Sequence, residues 1–343
     1  VSERRSSEGG TAKVTDSVEL SAFRDNAMTT RTFTHGTAAI ELHLGDCFQG
    51  MDLMEPECVD VVVTSPPYNL GIGYGVYNDS IDRAEYLDWL EQWAIRVKRV
   101  LSPGGSLFLN IAGKPSDPWG PIEAALRLRS HLVLQNTIHW VKSIAVDRTE
   151  DGDGLDETTQ INLGHIKPIN SRRYLSDAHE HIFHFSKSGE VELDRLAIGV
   201  PYKDKSNITR WKSAGKDLRC RGNVWFIPYK TIVSRDKERP HPASFPPRLP
   251  EMCVKVHGLN RVRLVMDPFM GLGNTAVACA DLGVSFIGYE IDPEYYANAC
   301  ERANVRIPTA EPELIPGDTP DEQRQNELFA GIPPLVKHAP RHQ

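Results

Sequence analysis

A doubly wound α/β domain around a largely parallel sheet is the fold this sequence predicts, because strand-like and helix-like runs alternate through most of its 343 residues. Two strand-like runs also end in loops unlike ordinary turns: Thr64-Ser65-Pro66-Pro67-Tyr68-Asn69, and Asp267-Pro268-Phe269-Met270-Gly271-Leu272-Gly273. In an open parallel sheet, loops of this kind gather at the carboxyl ends of the strands, where ligands bind.

Residues 1 to about 35 are rich in Ser, Thr, Arg and Glu without apolar periodicity, and are expected to form a loosely held tail. Alternating Ile40, Leu42 and Leu44 predict a strand that ends at Gly45-Asp46, and the run from Val59 to Val63 predicts a fully buried one. After the Pro-Pro loop, Tyr86, Leu90, Trp93, Val97 and Val100 fall at steps of three and four, which predicts a helix. Pro103-Gly104-Gly105 is expected to stop that helix before a strand over SLFLNIA. Further strands are expected in LVLQNTIHWV and HEHIFHFS. RVRLVMD, NTAVACADLG, SFIGYE and PEYYANACERAN then make a second strand-helix-strand-helix run. From about residue 309 onward, Pro, Glu, Asp and Gln dominate and predict a second tail, so the ordered domain is expected over 36–308.

A chain of this length can bury a full core without cross-links. Its six cysteines are scattered, form no C-x-x-C pair and suit a reducing cytoplasm. No stretch reaches the apolar length of a membrane span, and the first twenty residues lack the apolar core of a secretory signal, so a cytoplasmic protein is expected. The formal charge is −7, yet residues 201–248 carry twelve Lys or Arg against four acids. A basic segment in an acidic chain is a candidate anion-binding surface, and a recognition insertion is expected over about 190–240.

The two special loops carry the chemistry. Pro66 and Pro67 cannot donate to a ladder, so the strand stops there and leaves a stiff, poorly paired backbone. Gly271 and Gly273 let the backbone approach a ligand closely, and the helix that follows presents unpaired N–H groups. Glu290 ends the next strand, where a carboxylate accepts from two ribose hydroxyls. Together these predict a nucleoside site. Gly271-x-Gly273-x-x-Ala276 with an acid some residues later also satisfies the dinucleotide fingerprint, so a nicotinamide enzyme remains open at this point.

The two loops taken together resemble the amino-directed DNA methyltransferases, with TSPPYN as the catalytic motif, DPFMGLGNT as the S-adenosylmethionine motif and GYEIDPEYYANA as the ribose-binding strand and helix. The catalytic motif comes first, which resembles the permuted group called the β class. LHLGDCF, LSPGGSLFLN, NVWFIPY and HPASFPPRLP extend the likeness over roughly residues 38 to 304. The resemblance implies the fold of S-adenosylmethionine-dependent methyltransferases and catalytic roles for Ser65, Pro66, Pro67 and Tyr68. It implies cofactor contacts by Asp46, His241, Asp267, Phe269, Gly271, Gly273, Thr275 and Glu290. Asn274 stands where the family usually has Thr, and is expected to cap the helix in its place.

The implied reaction explains the prolines. An amino nitrogen on cytosine or adenine is a poor nucleophile because its lone pair is delocalised into the ring. Ser65 and the carbonyl of the rigid Pro66 peptide would accept from the two amino protons, and Tyr68 would offer an aromatic face to a base swung out of the helix. Ser-Pro-Pro-Tyr is the pattern more often associated with cytosine N4, with adenine N6 as the alternative. Carbon-5 chemistry needs a cysteine nucleophile, usually after proline, and the chain has no Pro-Cys pair. The implied partner is double-stranded DNA, contacted by Lys212, Lys216, Arg219 and Arg221, with a cognate restriction endonuclease as a further partner. The rival classes are the nicotinamide enzyme and a non-catalytic DNA-binding regulator. No metal is expected, because His179 and His181 share one face of their strand while His184 points to the other.

Overall fold

The computed structural model of the protein describes residues 28–71, 79–147, 160–166, 168–210, 217–228 and 244–305. The chain begins with a hairpin of β1 (Thr29–His35) and β2 (Ala38–Leu44), then passes through α1 (Cys47–Leu53) into β3 (Val59–Thr64). Next come α2 (Arg83–Val100), β4 (Leu101–Ile111), α3 (Gly120–Leu128) and β5 (Val133–Val141). A ribbon of β6 (Ser143–Asp147) and β7 (Gln160–Gly164) precedes β8 (His179–Ser186), α4 (Asn207–Arg210) and β9 (Val224–Phe226). The last run is α5 (Arg248–Gly258), β10 (Leu264–Asp267), α6 (Asn274–Leu282), β11 (Ser285–Glu290) and α7 (Pro293–Val305).

Among the described residues, nine strands form one sheet in the order β1-β2-β11-β10-β3-β4-β8-β5-β9. The stretch from β2 to β4 is parallel throughout. β8 runs antiparallel to both β4 and β5, and β1 antiparallel to β2. This is the expected doubly wound sheet with antiparallel margins.

β3 shows why the apolar run around it is unbroken. Val61 and Val63 enter one core cluster with Val254 of α5 and Cys279 of α6, while Val59 and Val62 enter the other with Trp93 of α2. A strand covered by helices on both faces has no solvent side on which to place polar residues. α2 is anchored the same way. All five of the residues that predicted it are buried, and Asp82 caps its first turn.

Three boundaries differ from the sequence reading. Thr29–His35, assigned to the first tail, is a paired edge strand whose Phe33 packs on the core. Four threonines supply its β-branched character, so no apolar alternation marks it. β4 begins at Leu101, two residues before the Pro-Gly-Gly, and absorbs that triplet through a register shift against β3. The segment expected as an insertion over 190–240 also contributes to the core: β9 pairs with β5, and Ile198, Trp225 and Ile227 are buried there. The tail expected from 309 lies outside the described residues. No described helix is long and apolar enough to cross a membrane.

Candidate active site

β3 and β10 are neighbours in the sheet, yet β3 leads through α2 to β4 on one side and β10 through α6 to β11 on the other. Their carboxyl ends therefore open a crevice at a topological switch point. Asp267 ties the two ends together. Thr64 Oγ1 donates to its Oδ1 and Thr275 Oγ1 to its Oδ2, each at 2.7 Å, and Phe269 N donates to Oδ1 at 3.1 Å. Burial pushes this carboxyl up to about 6, against the hydrogen bonds that favour its charge.

The crevice holds about 920 Å³ of empty space, part of it open to solvent. That is within the range of small-ligand sites. Asp46, Ser65, Pro67, Phe269 and Glu290 line it, beside Phe48, Trp89, Tyr289, Asp292 and Tyr295. Glu290 Oε2 accepts from Gly271 N and Oε1 from Asp292 N, both at 2.9 Å. Each oxygen keeps a further lone pair. Burial raises the carboxyl to about 7, as befits an acceptor pair with less solvation than its charge requires. A vicinal diol supplies two donors to such a pair. The residues present therefore fit a nucleoside with a ribose.

On the other side of the crevice, Ser65 Oγ lies 2.5 Å from Tyr68 Oη. Tyr68 Oη donates to Glu180 Oε2 at 3.2 Å, and Asn110 Nδ2 donates to both at 2.7 Å. Lys142 Nζ pairs with Glu180 Oε1 at 3.1 Å. Either hydroxyl can donate in the Ser65–Tyr68 bond, and Ser65 is the donor when the single phenolic proton goes to Glu180. Its lone pairs are then left to accept.

The loop between these walls is fixed at several points. Tyr86 Oη donates to the Pro67 carbonyl at 2.9 Å, while Pro66 is buried. Asn69 takes a left-handed φ of 57° and exchanges two hydrogen bonds with Ile81, and Asp79 accepts from Asn69 N and Leu70 N. The two ends of the glycine-rich stretch are thereby pinned together.

Not every expected residue faces the crevice. Asp267 and Thr275 are buried behind it, and Gly273 supports it as the left-handed residue before α6. Gly271 reaches it through its backbone bond to Glu290. Asn274 does not cap α6. Its Nδ2 donates to the Phe245 carbonyl and its Oδ1 accepts from Arg302, because Gly273 already occupies the cap position. Arg219 is exposed and pairs through its backbone with Val200, and Arg221 Nε donates to the Ile198 carbonyl. His241, Lys212 and Lys216 lie outside the described residues.

The sequence reading missed the aromatic wall and the Glu180 network. Phe48 stacks on Trp89 at 5.8 Å, and Trp89 meets Phe269 at 5.7 Å, and all three line the crevice. Glu180 stands buried on β8 as the strand's one carboxylate. A lone carboxylate in such a place was the available signal.

Residues 59–301 match the family model described as DNA methylase, of the N6/N4 type. The Type II methyltransferase M.HpaI of Haemophilus parainfluenzae is 27% identical over 252 residues, 73% of this chain and 69% of its own. The Type II methyltransferase M.ScaI of Streptomyces caespitosus is 26% identical over 270 residues, 76% of this chain and 79% of its own. The solved structure of the PvuII DNA methyltransferase (cytosine-N4-specific) superposes with a TM-score of 0.55 at 19% identity, covering 85% of this chain and 91% of that one, a likeness of fold.

Proposed function

The chain belongs to the N6/N4 DNA methylase family, and from that premise we propose that it methylates N4 of cytosine in double-stranded DNA at a specific site. S-adenosylmethionine, when bound, supplies a methyl group on a positively charged sulfur. Glu290 would hold its ribose, and Asp46, Phe269 and the Gly271 backbone would contact the rest of it. Asp267, Gly273 and Thr275 would act through the shape of the loop. His241 keeps the assignment that its motif implies.

The observation that carries the reading is the chain of hydrogen bonds that ties Ser65 to Tyr68 and Tyr68 to Glu180. With the phenolic proton directed to Glu180, that chain would leave Ser65 Oγ free to accept one amino proton, with the Pro66 carbonyl as the second. Drawing on both protons shifts the amino nitrogen towards tetrahedral geometry and returns its lone pair from the ring. Dipoles fixed in advance stabilise charge where it develops, at no cost of reorganisation. The target base must leave the duplex to reach this point, and the Tyr68 ring, held by its own hydroxyl, would give it a face to stack on.

The cytosine assignment is supported by the Ser-Pro-Pro-Tyr pattern at 65–68, where a small hydroxyl leaves room for a close pyrimidine. The names of the relatives, Type II methyltransferases, support a setting beside a cognate restriction endonuclease. DNA incubated with the protein and labelled S-adenosylmethionine, then digested to nucleosides for mass spectrometry, tests the assignment. N4-methylcytosine is expected. N6-methyladenine as the sole product overturns the choice of base while leaving amino transfer in place.

A further inference from the structure

Outside the crevice, the structure brings His139 to two histidines, His179 and His181, that lie forty or more positions further along the sequence. We propose that His139, His179 and His181 form a binding site for a divalent transition metal of the zinc type. One nitrogen from each ring can be chosen so that all three lie within 4.8 Å of one another. His139 of β5 sits directly opposite His181 of β8, and His179 lies two residues along the same strand. All three therefore project from one face of the sheet.

Zinc bonds to imidazole nitrogens at about 2.0–2.1 Å, which sets a ligand-to-ligand edge of about 3.3 Å in a tetrahedron. Metal binding at this site requires the rings to turn so that the remaining gap closes. The rings already meet in T-shaped, edge-to-face contacts. Their centroids are 5.1 to 5.5 Å apart, with interplanar angles of 61° to 80°.

A second observation points to a ligand. His181 Nδ1 is buried and has no hydrogen-bond partner among the described residues. A buried polar nitrogen left unpaired is rare and costly, and a metal ion resolves it. The ring is held in place by stacking on Phe183 at 5.3 Å and 6°. Imidazole sets of this kind suit zinc, copper, iron and nickel rather than magnesium or calcium.

The expectation of no metal considered His184 as the third ligand. His184 does point to the other face, where it bonds Ser106 at 2.8 Å and Asn136 at 2.9 Å. The third ligand comes instead from β5, forty positions away in sequence. Three imidazoles leave a fourth position to water. A metal here clamps β5 to β8 where the chain departs into the β6–β7 ribbon, next to the Lys142–Glu180 pair.

Cobalt titration of the untagged full chain, stripped beforehand with a chelator, tests the site. One equivalent of Co2+ with the visible bands of four-coordinate cobalt is expected, displaced by Zn2+. Replacing all three histidines by Ala should abolish binding, with S-adenosylmethionine affinity unchanged as the control for folding. His181→Gln alone should weaken binding at least about tenfold, the loss that follows even from removing an outer-sphere partner. Absence of cobalt binding in the wild type, or unchanged stoichiometry and affinity in the triple variant, overturns the proposal. Should the triple variant fail to fold, an unchanged affinity in His181→Gln does so.

Discussion

Glu290 is the residue whose chemistry is most exposed to pH. Its carboxyl, pushed up to about 7 by burial, is half-protonated near neutrality in the cofactor-free protein. Only the ionised form offers all its lone pairs to ribose hydroxyls, so on the proposed role of Glu290 cofactor binding lowers the pKa and releases a proton. Affinity is therefore expected to rise with pH up to about 7, by up to about tenfold per pH unit, and to level off above it. Glu290→Gln should flatten that profile and weaken binding by about 1–2 kcal/mol. Calorimetry in buffers of different ionisation enthalpy reads both the affinity and the proton. A flat wild-type profile removes Glu290 from the ribose. Cys47, which also lines the crevice, is held as a neutral thiol because burial and the Asp46 charge push its pKa up. This suits amino transfer rather than a cysteine nucleophile.

At the scale of elements, the turn into α6 is the joint on which the cofactor loop depends. Gly273 has a φ of 73°, and a Cβ placed there would meet the Cβ of Ala299 on α7 at 3.2 Å. Gly273→Ala should cost about 1–3 kcal/mol through backbone strain, and should weaken S-adenosylmethionine binding as the loop shifts. Thermal unfolding with and without cofactor measures both. Most elements that carry this joint were legible in the sequence. β3, α2, β10, α6, β11 and α7 each have a period or run of their own, and the loops after β3 and β10 are marked by Pro-Pro and by paired glycines. What could not be read was whatever depends on distant partners. Tyr68 meets Glu180 across 112 positions, and Thr64 meets Asp267 across 203. β1 has one apolar anchor, and α5 follows a proline-rich stretch that reads as loop. The Asn274 cap failed for a local reason, since the left-handed glycine before it leaves the cap position taken.

The whole molecule joins an acidic chain to a basic segment, and that asymmetry suits a protein that must leave DNA as well as hold it. Neutralising Lys212, Lys216, Arg219 and Arg221 together should weaken binding to duplex DNA and flatten its salt dependence, by roughly 0.9 in log–log slope for each phosphate that no longer meets a cation. Unaltered affinity and slope, measured by fluorescence anisotropy across a salt series, would return those residues to the solvated surface. The sheet places the two special loops at one switch point, so that Glu290, proposed to hold the ribose, and Ser65, proposed to activate the amino group, line a single crevice. Single-turnover transfer of labelled methyl to duplex DNA by Ser65→Ala tests that arrangement most directly. The rate is expected to fall about a hundredfold or more, the scale of losing one fixed transition-state partner, with cofactor affinity within about twofold of wild type because Ser65 stands on the wall opposite Glu290. Transfer at a near-wild-type rate would contradict the account.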